Sequence, residues 1–407
     1  MEKTENKKVV ILSVALAVCI LAVIVMGVML ISAGGEKADA PQWLMAPVSE
    51  DEAAKSAGYD PKFMQMAIEN AKSNKNGGPI GAVIVKDGKI LGEGYHKKAG
   101  TNHAETAAIA DAKKKGNDIR GASIYVTLEP CSKPGRVGAC TDAIVAAGIS
   151  HVYYAVSDPN PTNRGRAKRV LARHGITCDC LATRAFTAFR PEETYEQRCD
   201  RACLKDLVDA AKKLIAPFRK HVTTGLPYVT VKLAMSLDGR ICDTTGNAKW
   251  ISSAESRKLT GGLRTQVDAI MVGAETVRTD NPSLLSHGKR NDDLIRVIVS
   301  RSGKLPKTAQ VVTDGAPNET LVYRDAKAAL VDLGKRGCLH VLCEGGLALA
   351  RSLADEGLVD AWKLVTAPIV IGNRPIAEAL RFKLESNGIL DPYAGDRIGD
   401  YVNPKRR

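Results

Sequence analysis

Four residues between positions 103 and 140 have side chains of the types that bind and use a zinc ion. His103 and Glu105 stand in "HAETAAIA", and Cys131 and Cys140 stand in "PCSKPGRVGAC". A catalytic zinc keeps three protein ligands and one position for water, and His103, Cys131 and Cys140 supply three suitable ligands. Bound zinc lowers the pKa of its water to about 7, which makes hydroxide available at neutral pH. Glu105, two residues after His103, can then carry protons without binding the metal.

The combination of these residues is more specific than any one of them. A His-x-Glu motif followed by a Pro-Cys loop is the arrangement of the zinc nucleobase deaminases. Taken singly, "HAE" is an ordinary helix start, and two cysteines are an ordinary pair of thiols. The common spacing in those enzymes is Cys-x-x-Cys, whereas eight residues separate Cys131 from Cys140. The motif therefore predicts hydrolytic deamination of an amino-substituted ring, with an unusually long loop between the two thiolate ligands.

Strands and helices alternate on both sides of these residues, which indicates an α/β domain. "GAVIVKDGKILGEGYH" predicts two strands joined at an Asp-Gly turn, and "HAETAAIADAKKKG" predicts a helix. "GASIYVTLEPC", "CTDAIVAAGI" and "HVYYAVSD" continue with a strand, a helix and a strand. Asp60 followed by Pro61 is typical of a helix start. We expect this domain to occupy residues 60–176.

A second α/β pattern begins at "LPYVTVKLAMSLDGRI" and continues through "IRVIVS" and "LHVLCEGG". It predicts a second domain over residues 224–385. No Gly-x-Gly-x-x-Gly motif follows a strand, so we do not expect a Rossmann dinucleotide site. The connector over residues 177–223 contains four cysteines, which are Cys178, Cys180, Cys199 and Cys203. Their spacing leaves a structural zinc site, two disulfides and free thiols all open.

The N-terminal segment has the composition of a membrane anchor. Residues 1–8 carry three lysines, and Val9–Ile31 is a run of 23 residues without a charge. As a helix this run would be about 35 Å long, enough to cross a hydrocarbon core of about 30 Å. We expect a single-pass transmembrane helix at 9–31 and a linker at 32–59. A cleaved signal peptide is the alternative, because "ADA" resembles a cleavage site. Residues 386–407 are expected to form a basic tail.

The composition argues against one class of partner. The chain of 407 residues has a formal net charge of +13, but only 4% of its residues are aromatic. Proteins that bind single-stranded nucleic acid use aromatic side chains to stack on the bases. We therefore expect no nucleic-acid partner. The positive charge also suits anionic lipid or a phosphorylated small molecule.

The stretch "LEPCSKPGRVGAC" resembles the deaminase half of the bifunctional riboflavin-biosynthesis deaminase–reductase family. The resemblance extends from "VIVKDGKILGEGYHKKAG" to "DAIVAAGISHVYYAVSDPNP". It implies a cytidine-deaminase-like three-layer domain. The implied reaction is hydrolytic deamination of 2,5-diamino-6-(5-phosphoribosylamino)pyrimidin-4-one. His103, Cys131 and Cys140 would bind Zn²⁺, and Glu105 would be the proton shuttle.

The second half of the chain resembles the reductase half of the same family in "KLAMSLDGR", "KWISS", "VGAETVRTDNPSLL" and "CEGG". The resemblance implies a dihydrofolate-reductase-like α/β domain. That domain would use NADPH to reduce the ribosyl group of the deaminated product to a ribityl group. The implied NADPH contacts are Ala234, Trp250, Thr276, Asp280 and Gly346. The implied contacts to the phosphoribosyl-pyrimidine substrate are Lys232, Arg264, Leu284 and Glu344.

Three of these reductase residues have types that suit a ligand. Arg264 offers a guanidinium fork that matches a phosphate. Gly346 follows a predicted strand and allows backbone N–H groups to approach a cofactor phosphate. Asp280 lies in the turn-forming "TDNP" beside a predicted strand end, where a carboxylate could hold a ribose or the nicotinamide edge.

Three positions and one loop depart from the family pattern. Pro79 stands where the family has an Asn that would touch the pyrimidine, and Ala248 stands at a substrate-side Ser position. His287 stands at an Arg position, and the loop after Cys131 reads "SKPGR" where the family tends to have two His. A site that hydrogen-bonds its substrate loses discrimination when one partner is missing. These departures therefore bear on which substrate is used.

Two other functions are compatible with the sequence. A zinc deaminase of another nucleobase or nucleoside would use the same "HAE" and Pro-Cys elements, beside a diverged reductase-like domain. A non-catalytic, membrane-anchored relative would keep only the scaffold. The long spacing between the cysteines and the reductase-like second half favour the deaminase–reductase over the first. The retained zinc ligands and proton shuttle favour it over the second.

The expected compartment follows from two opposing signals. Lysines precede the apolar segment 9–31, so the positive-inside rule places the N-terminus in the cytoplasm and the body outside. NADPH and phosphoribosyl pyrimidines are cytosolic, so we expect instead a catalytic body that faces the cytoplasm. We also expect the protein to be a homo-oligomer.

Overall fold

The structure of the chain is a computed structural model. It describes residues 58–72, 79–97, 100–135, 137–186, 194–248, 250–286, 293–373, 375–381 and 397–402. The chain from Asp60 onward forms one compact unit. The predicted anchor at 9–31 lies outside the described residues, as do residues 1–8 and the linker up to residue 57. Within the described ranges, no helix is both long enough and apolar enough to cross a membrane.

The first sheet contains the strands that precede and follow the predicted zinc ligands. They are β1 (Gly81–Lys86), β2 (Lys89–Tyr95), β3 (Ser123–Leu128), β4 (His151–Val156) and β5 (Thr177–Cys180). Among the described residues the order is β2-β1-β3-β4-β5, with β1 antiparallel to both neighbours and β3, β4 and β5 parallel. The predicted hairpin is confirmed, because Asp87 and Gly88 both have positive φ, 50° and 72°, as a tight turn between β1 and β2 requires.

Helices cover both faces of this sheet. They are α1 (Pro61–Lys72), α2 (Ala104–Lys114), α3 (Cys140–Ala146), α4 (Arg166–Ala172), α5 (Leu181–Ala185) and α6 (Tyr195–Leu214). Successive residues of a strand point to opposite faces. Ile124 and Val126 of β3 pack in a buried cluster with α2, α3 and α4, whereas the Tyr125 ring centroid lies 5.4 Å from that of Phe63 in α1. The predicted three-layer α/β fold is confirmed.

Two glycines of β2 allow α2 to lie directly against the strand. A Cβ added at Gly92 would lie 2.4 Å from the backbone oxygen of Ala108, and one added at Gly94 would lie 2.4 Å from its backbone nitrogen. Both distances are far inside van der Waals contact, so a larger residue fits only if the helix moves. This close approach holds the helix that begins immediately after His103.

The connector is part of the folded unit. β5 pairs in parallel with β4, from His151 opposite Thr177 to Tyr154 opposite Cys180. α6 packs against α1 and β4, and its buried side chains include Val208. The first sheet and its helices therefore extend past residue 176, where the change of pattern in the sequence predicts the domain to end. The next helix, α7 (Ala216–Thr224), packs on the first strand of the second sheet.

The second sheet is nearly all parallel. Its strands are β6 (Tyr228–Ser236), β7 (Ala269–Gly273), β8 (Ile295–Val299), β9 (Thr320–Tyr323), β10 (His340–Cys343), β11 (Ala361–Ala367) and β14 (Arg397–Val402). Among the described residues the order is β14-β11-β6-β10-β7-β8-β9, and β14 is the antiparallel member. A separate pair consists of β12 (Ile369–Val370) and β13 (Leu380–Arg381). The second predicted α/β domain is thus a mixed sheet.

Helices connect the parallel strands of this sheet. They are α8 (Ala254–Gly262), α9 (Ala274–Asp280), α10 (Gln310–Thr313), α11 (Ala326–Lys335) and α12 (Leu347–Asp355), with 3₁₀ turns at Leu263–Thr265 and Ile376–Glu378. Val231, Met271, Val297 and Val341 lie in one buried cluster with apolar residues of α11 and α12. The strand β7, AIMVG, has no polar side chain, which is typical of a parallel strand that is covered on both faces.

The predicted basic tail at 386–407 contains a strand. Residues Arg397–Val402 pair antiparallel with β11, from Ala361 opposite Val402 to Thr366 opposite Arg397. The prediction of a basic tail is therefore corrected for this segment, which is the antiparallel edge strand of the second sheet. The segment "RIGDYV" contains a glycine and two charged residues, so its own composition predicts a strand poorly, and the pairing with β11 determines its structure.

His340 in β10 should make the stability of the second sheet depend on pH. Its Nε2 lies 2.8 Å from Thr230 Oγ1 in β6, and burial lowers its pKa from 6.5 to about 4. As pH falls below 6.5, His340 becomes protonated in the unfolded chain. In the folded chain it becomes protonated only when the pH reaches about 4. The free energy of unfolding should therefore decrease as pH falls through this window.

Urea unfolding of the wild-type protein and of His340→Gln at several pH values tests this expectation. The variant should lose less stability than the wild-type protein between neutral pH and pH 4 to 5, because Gln does not titrate. Equal losses in the two proteins would contradict the assignment of this pH dependence to His340.

Candidate active sites

The structure brings the three predicted zinc ligands together. His103 is the residue before α2, Cys131 follows β3, and Cys140 is the first residue of α3. His103 Nδ1 lies 3.2 Å from Cys140 Sγ and 3.5 Å from Cys131 Sγ. All three ligand atoms lie within 4.8 Å of one another, and they form the one such group of His, Cys, Asp and Glu found in the described part of the chain.

These distances fit a tetrahedral zinc ion. With Zn–N near 2.0 Å and Zn–S near 2.3 Å, tetrahedral geometry places N and S about 3.5 Å apart and two S atoms about 3.8 Å apart. The two N···S distances in the protein, 3.2 and 3.5 Å, are close to this value. One imidazole and two thiols also form a donor set that zinc prefers. The three residues can therefore hold zinc and leave a fourth position for water.

The two cysteines differ in their electrostatic surroundings. The hydrogen bond from the Cys140 thiol lowers the pKa of Cys131 to about 4, although burial opposes this shift. The same bond, together with burial, raises the pKa of Cys140. The backbone N–H of Cys140 also donates to Cys131 Sγ over 3.3 Å. These shifts favour the thiolate form at Cys131, and a bound zinc ion would favour deprotonation of both cysteines.

Glu105 is buried close to His103, Cys131 and Cys140. It is in the first turn of α2, and its side chain is 4% exposed. Burial raises the pKa of its carboxyl to about 7, with a further contribution from the nearby Cys131 thiolate. A carboxyl with a pKa near neutrality can both accept and donate a proton at physiological pH.

His96, which lies outside the predicted zinc motif, packs against His103. Its ring meets the His103 ring edge-on, with centroids 5.2 Å apart and an interplanar angle of 87°. Its Nδ1 lies 3.2 Å from the backbone oxygen of Asn102, and burial lowers its pKa. His96 follows β2 immediately, and no local spacing signals its proximity to His103. The contact between the two rings restricts the orientation of the His103 imidazole.

The predicted reductase residues gather at the carboxyl edge of the second sheet. The neighbouring strands β6, β10 and β7 are parallel, so their carboxyl ends lie at the same edge. Lys232 and Ala234 lie in β6, and Glu344 follows β10, where its N–H donates to the Met271 oxygen of β7 over 3.0 Å. In open α/β sheets, ligands bind outside the carboxyl ends of the strands.

Arg264 and Glu344 form a two-pronged ion pair. Arg264 Nε lies 3.1 Å from Glu344 Oε1, and Nη2 lies 2.8 Å from Oε2. The two side chains are 12% and 14% exposed. Arg264 Nη1 also donates to the backbone oxygen of Leu285 over 2.8 Å. Both residues were predicted to contact substrate. In the structure they bind each other.

The loop that carries Leu284 is held by arginines on both sides. Arg296, which is 3% exposed, donates to the Ser283 oxygen over 3.2 Å, and Arg264 donates to the Leu285 oxygen. Leu284 itself has a positive φ of 57°, and its side chain is buried with 1% exposure. A contact between Leu284 and a substrate would therefore have to come from its backbone.

The predicted NADPH contacts lie in different surroundings. A Cβ added at Gly346, the residue before α12, would lie 4.0 Å from Thr276 Oγ1 in α9, so these two positions are close together. Trp250 is 61% exposed, and the Arg257 guanidinium lies 4.2 Å from its ring centroid. Asp280 ends α9 instead of lying beside a strand end, because Asn281 closes this helix in the left-handed conformation.

The remaining predictions concern the residues that depart from the family pattern and the cysteines of the connector. Pro79 is half-buried and directly precedes the β1 region, Ala248 is exposed, and His287 lies outside the described residues. Cys178, Cys180 and Cys203 are free thiols, and they form no metal-binding group with the described residues. The side chain of Cys199 lies outside what the structure describes.

Comparisons with known proteins agree with both halves of this description. Residues 58–156 match the family model "Cytidine and deoxycytidylate deaminase zinc-binding region", and residues 227–388 match the "RibD C-terminal domain". "Riboflavin biosynthesis protein RibD" of Aquifex aeolicus is 33% identical over 340 residues, which cover 77% of this chain and 88% of that protein. The chain belongs to the RibD family.

Solved structures of RibD proteins agree with this membership. A RibD structure from Acinetobacter baumannii is 31% identical, has a TM-score of 0.65, and the match covers 84% of this chain and 98% of that one. The Thermotoga maritima diaminohydroxyphosphoribosylaminopyrimidine deaminase/5-amino-6-(5-phosphoribosylamino)uracil reductase is 30% identical, with a TM-score of 0.67 and coverage of 84% and 97%.

Membership of the RibD family confirms several predictions. The chain is a bifunctional enzyme of riboflavin biosynthesis, which combines a deaminase domain with a reductase domain. Zinc and NADPH are the cofactors of these two domains. A small-molecule substrate is consistent with this family. The membrane anchor and the homo-oligomer stay predictions.

Proposed function

We propose that His103, Cys131 and Cys140 hold the zinc ion of the deaminase and that Glu105 moves its protons. The observation that carries this assignment is the cluster of three ligand atoms within 4.8 Å beside a buried carboxyl. The substrate is the 2,5-diaminopyrimidine phosphoriboside that the family resemblance implies. Its amino-bearing ring carbon is the atom to be attacked.

Zinc in this site supplies an activated water at neutral pH. Glu105 first accepts a proton from the attacking water and donates it to the pyrimidine ring. It then takes the proton of the hydroxyl group that has been added to the ring carbon and gives it to the amino group. The C–N bond breaks as the ring carbonyl forms, and the amino group leaves as ammonia. Because Glu105 is buried, its carboxyl exchanges protons with the substrate rather than with bulk water. The His96 ring limits rotation of the His103 imidazole during these steps.

The second domain is proposed to reduce the deaminated product with NADPH at the carboxyl edge of its sheet. NADPH supplies the hydride for conversion of the ribosyl group to a ribityl group. Ala234, Thr276 and Gly346 are proposed to line the cofactor, because their strands and helix starts meet at this edge. The mixed sheet with one antiparallel edge strand supports the dihydrofolate-reductase-like fold that the family resemblance implies.

Arg264 is proposed to bind the phosphate of the product while Glu344 holds its guanidinium in place. The two-pronged contact directs Nε and Nη2 toward Glu344 and fixes the plane of the fork. Trp250 and Asp280 are proposed as outer cofactor contacts, Lys232 as a further substrate contact, and Leu284 as a contact through its backbone. Arg296 keeps the Leu284 loop in position.

Substitution of Arg264 by Lys should weaken the reductase and leave the deaminase unchanged. A lysine keeps the charge but cannot bind Glu344 and a phosphate with one planar fork. Loss of charge-assisted hydrogen bonds should lower kcat/KM for the deaminated product about 10- to 100-fold. Arg278→Lys is a matched control, because Arg278 binds Glu275 on the exposed side of α9. An Arg264→Lys reductase with wild-type kcat/KM would contradict the assignment.

The proposed function is tested by separating the two half-reactions. Purified protein loaded with zinc is given the diaminopyrimidine phosphoriboside, and ammonia release is measured with and without NADPH. Release should not require NADPH, whereas NADPH oxidation should start only when the deaminated product is present. Cytidine and adenosine serve as competing substrates. Faster deamination of either one would favour a nucleoside deaminase and overturn the proposed substrate.

The domain organisation and the location are also proposals. We propose that the deaminase domain runs from residue 60 to the end of α6, and that the reductase domain begins with α7 and includes β14. We further propose that residues 9–31 anchor the protein with its catalytic body in the cytoplasm, where NADPH is available, and that it is a homo-oligomer. Protease treatment of spheroplasts from outside should then leave the body intact.

A further inference from the structure

The loop that carries Cys131 is held from both sides by one buried side chain. Asn163 Oδ1 accepts a hydrogen bond from the Ser132 N–H over 2.8 Å. Its Nδ2 donates to the Pro130 oxygen over 3.4 Å. Pro130 and Ser132 are the two chain neighbours of Cys131. The side-chain amide of Asn163 therefore binds the backbone on both sides of Cys131. Asn163 is 5% exposed.

The orientation of this amide is determined by its partners. Asn163 Nδ2 also donates to Asp158 Oδ2 over 2.9 Å, and an ionised carboxylate can only accept. The Ser132 N–H can only donate, so Oδ1 must face Ser132. Neither an aspartate nor an aliphatic residue can make all three contacts at position 163.

Asn163 is itself fixed to the protein core. Asp158 is 7% exposed and accepts from the Asn160 N–H over 2.8 Å. Glu129, which is 2% exposed, accepts the N–H groups of Asp158, Gly165 and Ala167 over 3.1, 3.0 and 3.2 Å. The loop after β4 is therefore tied to Glu129, and Glu129 precedes the Cys131 loop by two residues.

We infer that Asn163 is a positioning residue for the zinc site, acting through the backbone on both sides of Cys131. This inference rests on the proposed assignment of Cys131 as a zinc ligand. The segment that follows, Lys133–Gly135, is exposed, and the long spacing to Cys140 leaves it without a helix or strand of its own. With the amide removed, Cys131 would be held by the Thr141 N–H on its oxygen and the Cys140 N–H on its sulfur.

The expected effect is a loss of zinc affinity in a protein that remains folded. Partners that orient metal ligands typically contribute about 10- to 100-fold to metal affinity. We expect Asn163→Ala to weaken zinc binding by about this factor. The Co²⁺-substituted variant should show weaker thiolate-to-metal charge-transfer absorption, because the Cys131 sulfur is less well placed. Ammonia release should fall in parallel at limiting zinc and recover partly at saturating zinc.

Asn117→Ala is the matched control. Asn117 lies in the same domain, and its Nδ2 donates to the Leu91 backbone oxygen over 2.6 Å. It follows the carboxyl end of α2, and His103 precedes the amino end, so about 16 Å of helix separates them. Asn117→Ala should therefore lower stability without changing zinc affinity.

A charge-exchange pair keeps the test decisive if Asn163→Ala does not fold. Asn163→Asp retains the volume but places a second carboxylate against Asp158, so zinc binding should again weaken. The double variant Asn163→Asp with Asp158→Asn restores a donor and an acceptor between the two side chains. The contact to the Pro130 oxygen is not restored, so the zinc affinity of the double variant should recover part of the loss, which a general loss of stability would not produce.

Zinc dissociation constants are measured by competition with a chromogenic chelator on the folded proteins, with the metal-free melting temperature recorded beside each value. Wild-type zinc affinity in both Asn163→Ala and Asn163→Asp would overturn the inference while leaving the zinc site intact. A wild-type protein that binds no zinc, or a Cys131→Ser protein that binds it equally well, would overturn the zinc assignment and the inference with it.

Discussion

Replacement of Glu105 by Gln should slow ammonia release by about 10²- to 10⁴-fold, which is the usual contribution of a positioned acid–base group. Gln has nearly the same volume and can keep hydrogen bonds at the site, but it cannot accept and return a proton. The buried position of Glu105 means that no water molecule easily replaces it as a proton carrier. Reduction of supplied deaminated product by NADPH should be unchanged, because that reaction uses the other domain.

Asp142→Asn is a closely matched control for this substitution. Asp142 lies two residues after Cys140, as Glu105 lies two residues after His103, and both are in the first turn of a helix. Asp142 is exposed, so its neutralisation should have little effect on either reaction. Zinc content measured by atomic emission should stay at the wild-type value in both variants. Undiminished ammonia release by Glu105→Gln would remove the proposed proton shuttle.

Replacement of Lys220 by Met should destabilise the second domain by about 3–5 kcal/mol, the usual cost of leaving one charge of a buried ion pair without its partner. Lys220 of α7 forms an ion pair with Asp360, and the side chains are 6% and 1% exposed. Asp360 also accepts the Val229 N–H over 2.8 Å, at the start of the central strand β6. In Lys220→Met the carboxylate would stay buried beside a thioether.

Two further variants separate the loss of charge pairing from a loss of packing. Lys363→Met removes an ion pair with Asp400 in which the side chains are 21% and 69% exposed, and it should cost less than about 1 kcal/mol because water reaches the carboxylate. Lys220→Met combined with Asp360→Asn removes both buried charges and should recover most of the lost stability. Urea unfolding monitored by fluorescence of the second domain measures all of these values. A single Lys220→Met variant as stable as Lys363→Met would show that the pair contributes little.

The deaminase site could be predicted because its proposed ligands and proton carrier lie in short sequence motifs. His103 and Glu105 share one helix start, and a strand end and a helix start carry Cys131 and Cys140. Such positions follow from short-range patterns, and the metal requires their side chains to converge. Asn163 could not be predicted in the same way. It lies after a different strand, and its role depends on a tertiary contact between two loops.

The second domain shows the same contrast. The segments rich in apolar and β-branched residues predicted β6, β8 and β10 directly, because such side chains favour strands. The pairing of β14 with β11 and the pairing of Lys220 with Asp360 join residues far apart in the chain. Nothing in their local sequence distinguishes Lys220 from an exposed lysine. The Arg264–Glu344 contact could also not be foreseen, although both residues were selected.

The position of β14 has a consequence for the order in which the chain folds during synthesis. The first sheet is complete once Cys180 has been made, and α6 follows soon after it. The second sheet lacks its antiparallel edge until the ribosome has passed residue 402. Because domains generally fold in the order of their synthesis, the first domain can bring His103, Cys131 and Cys140 together while the edge of β11 is still unpaired. That edge stays open to misassociation until residues 397–402 have been made.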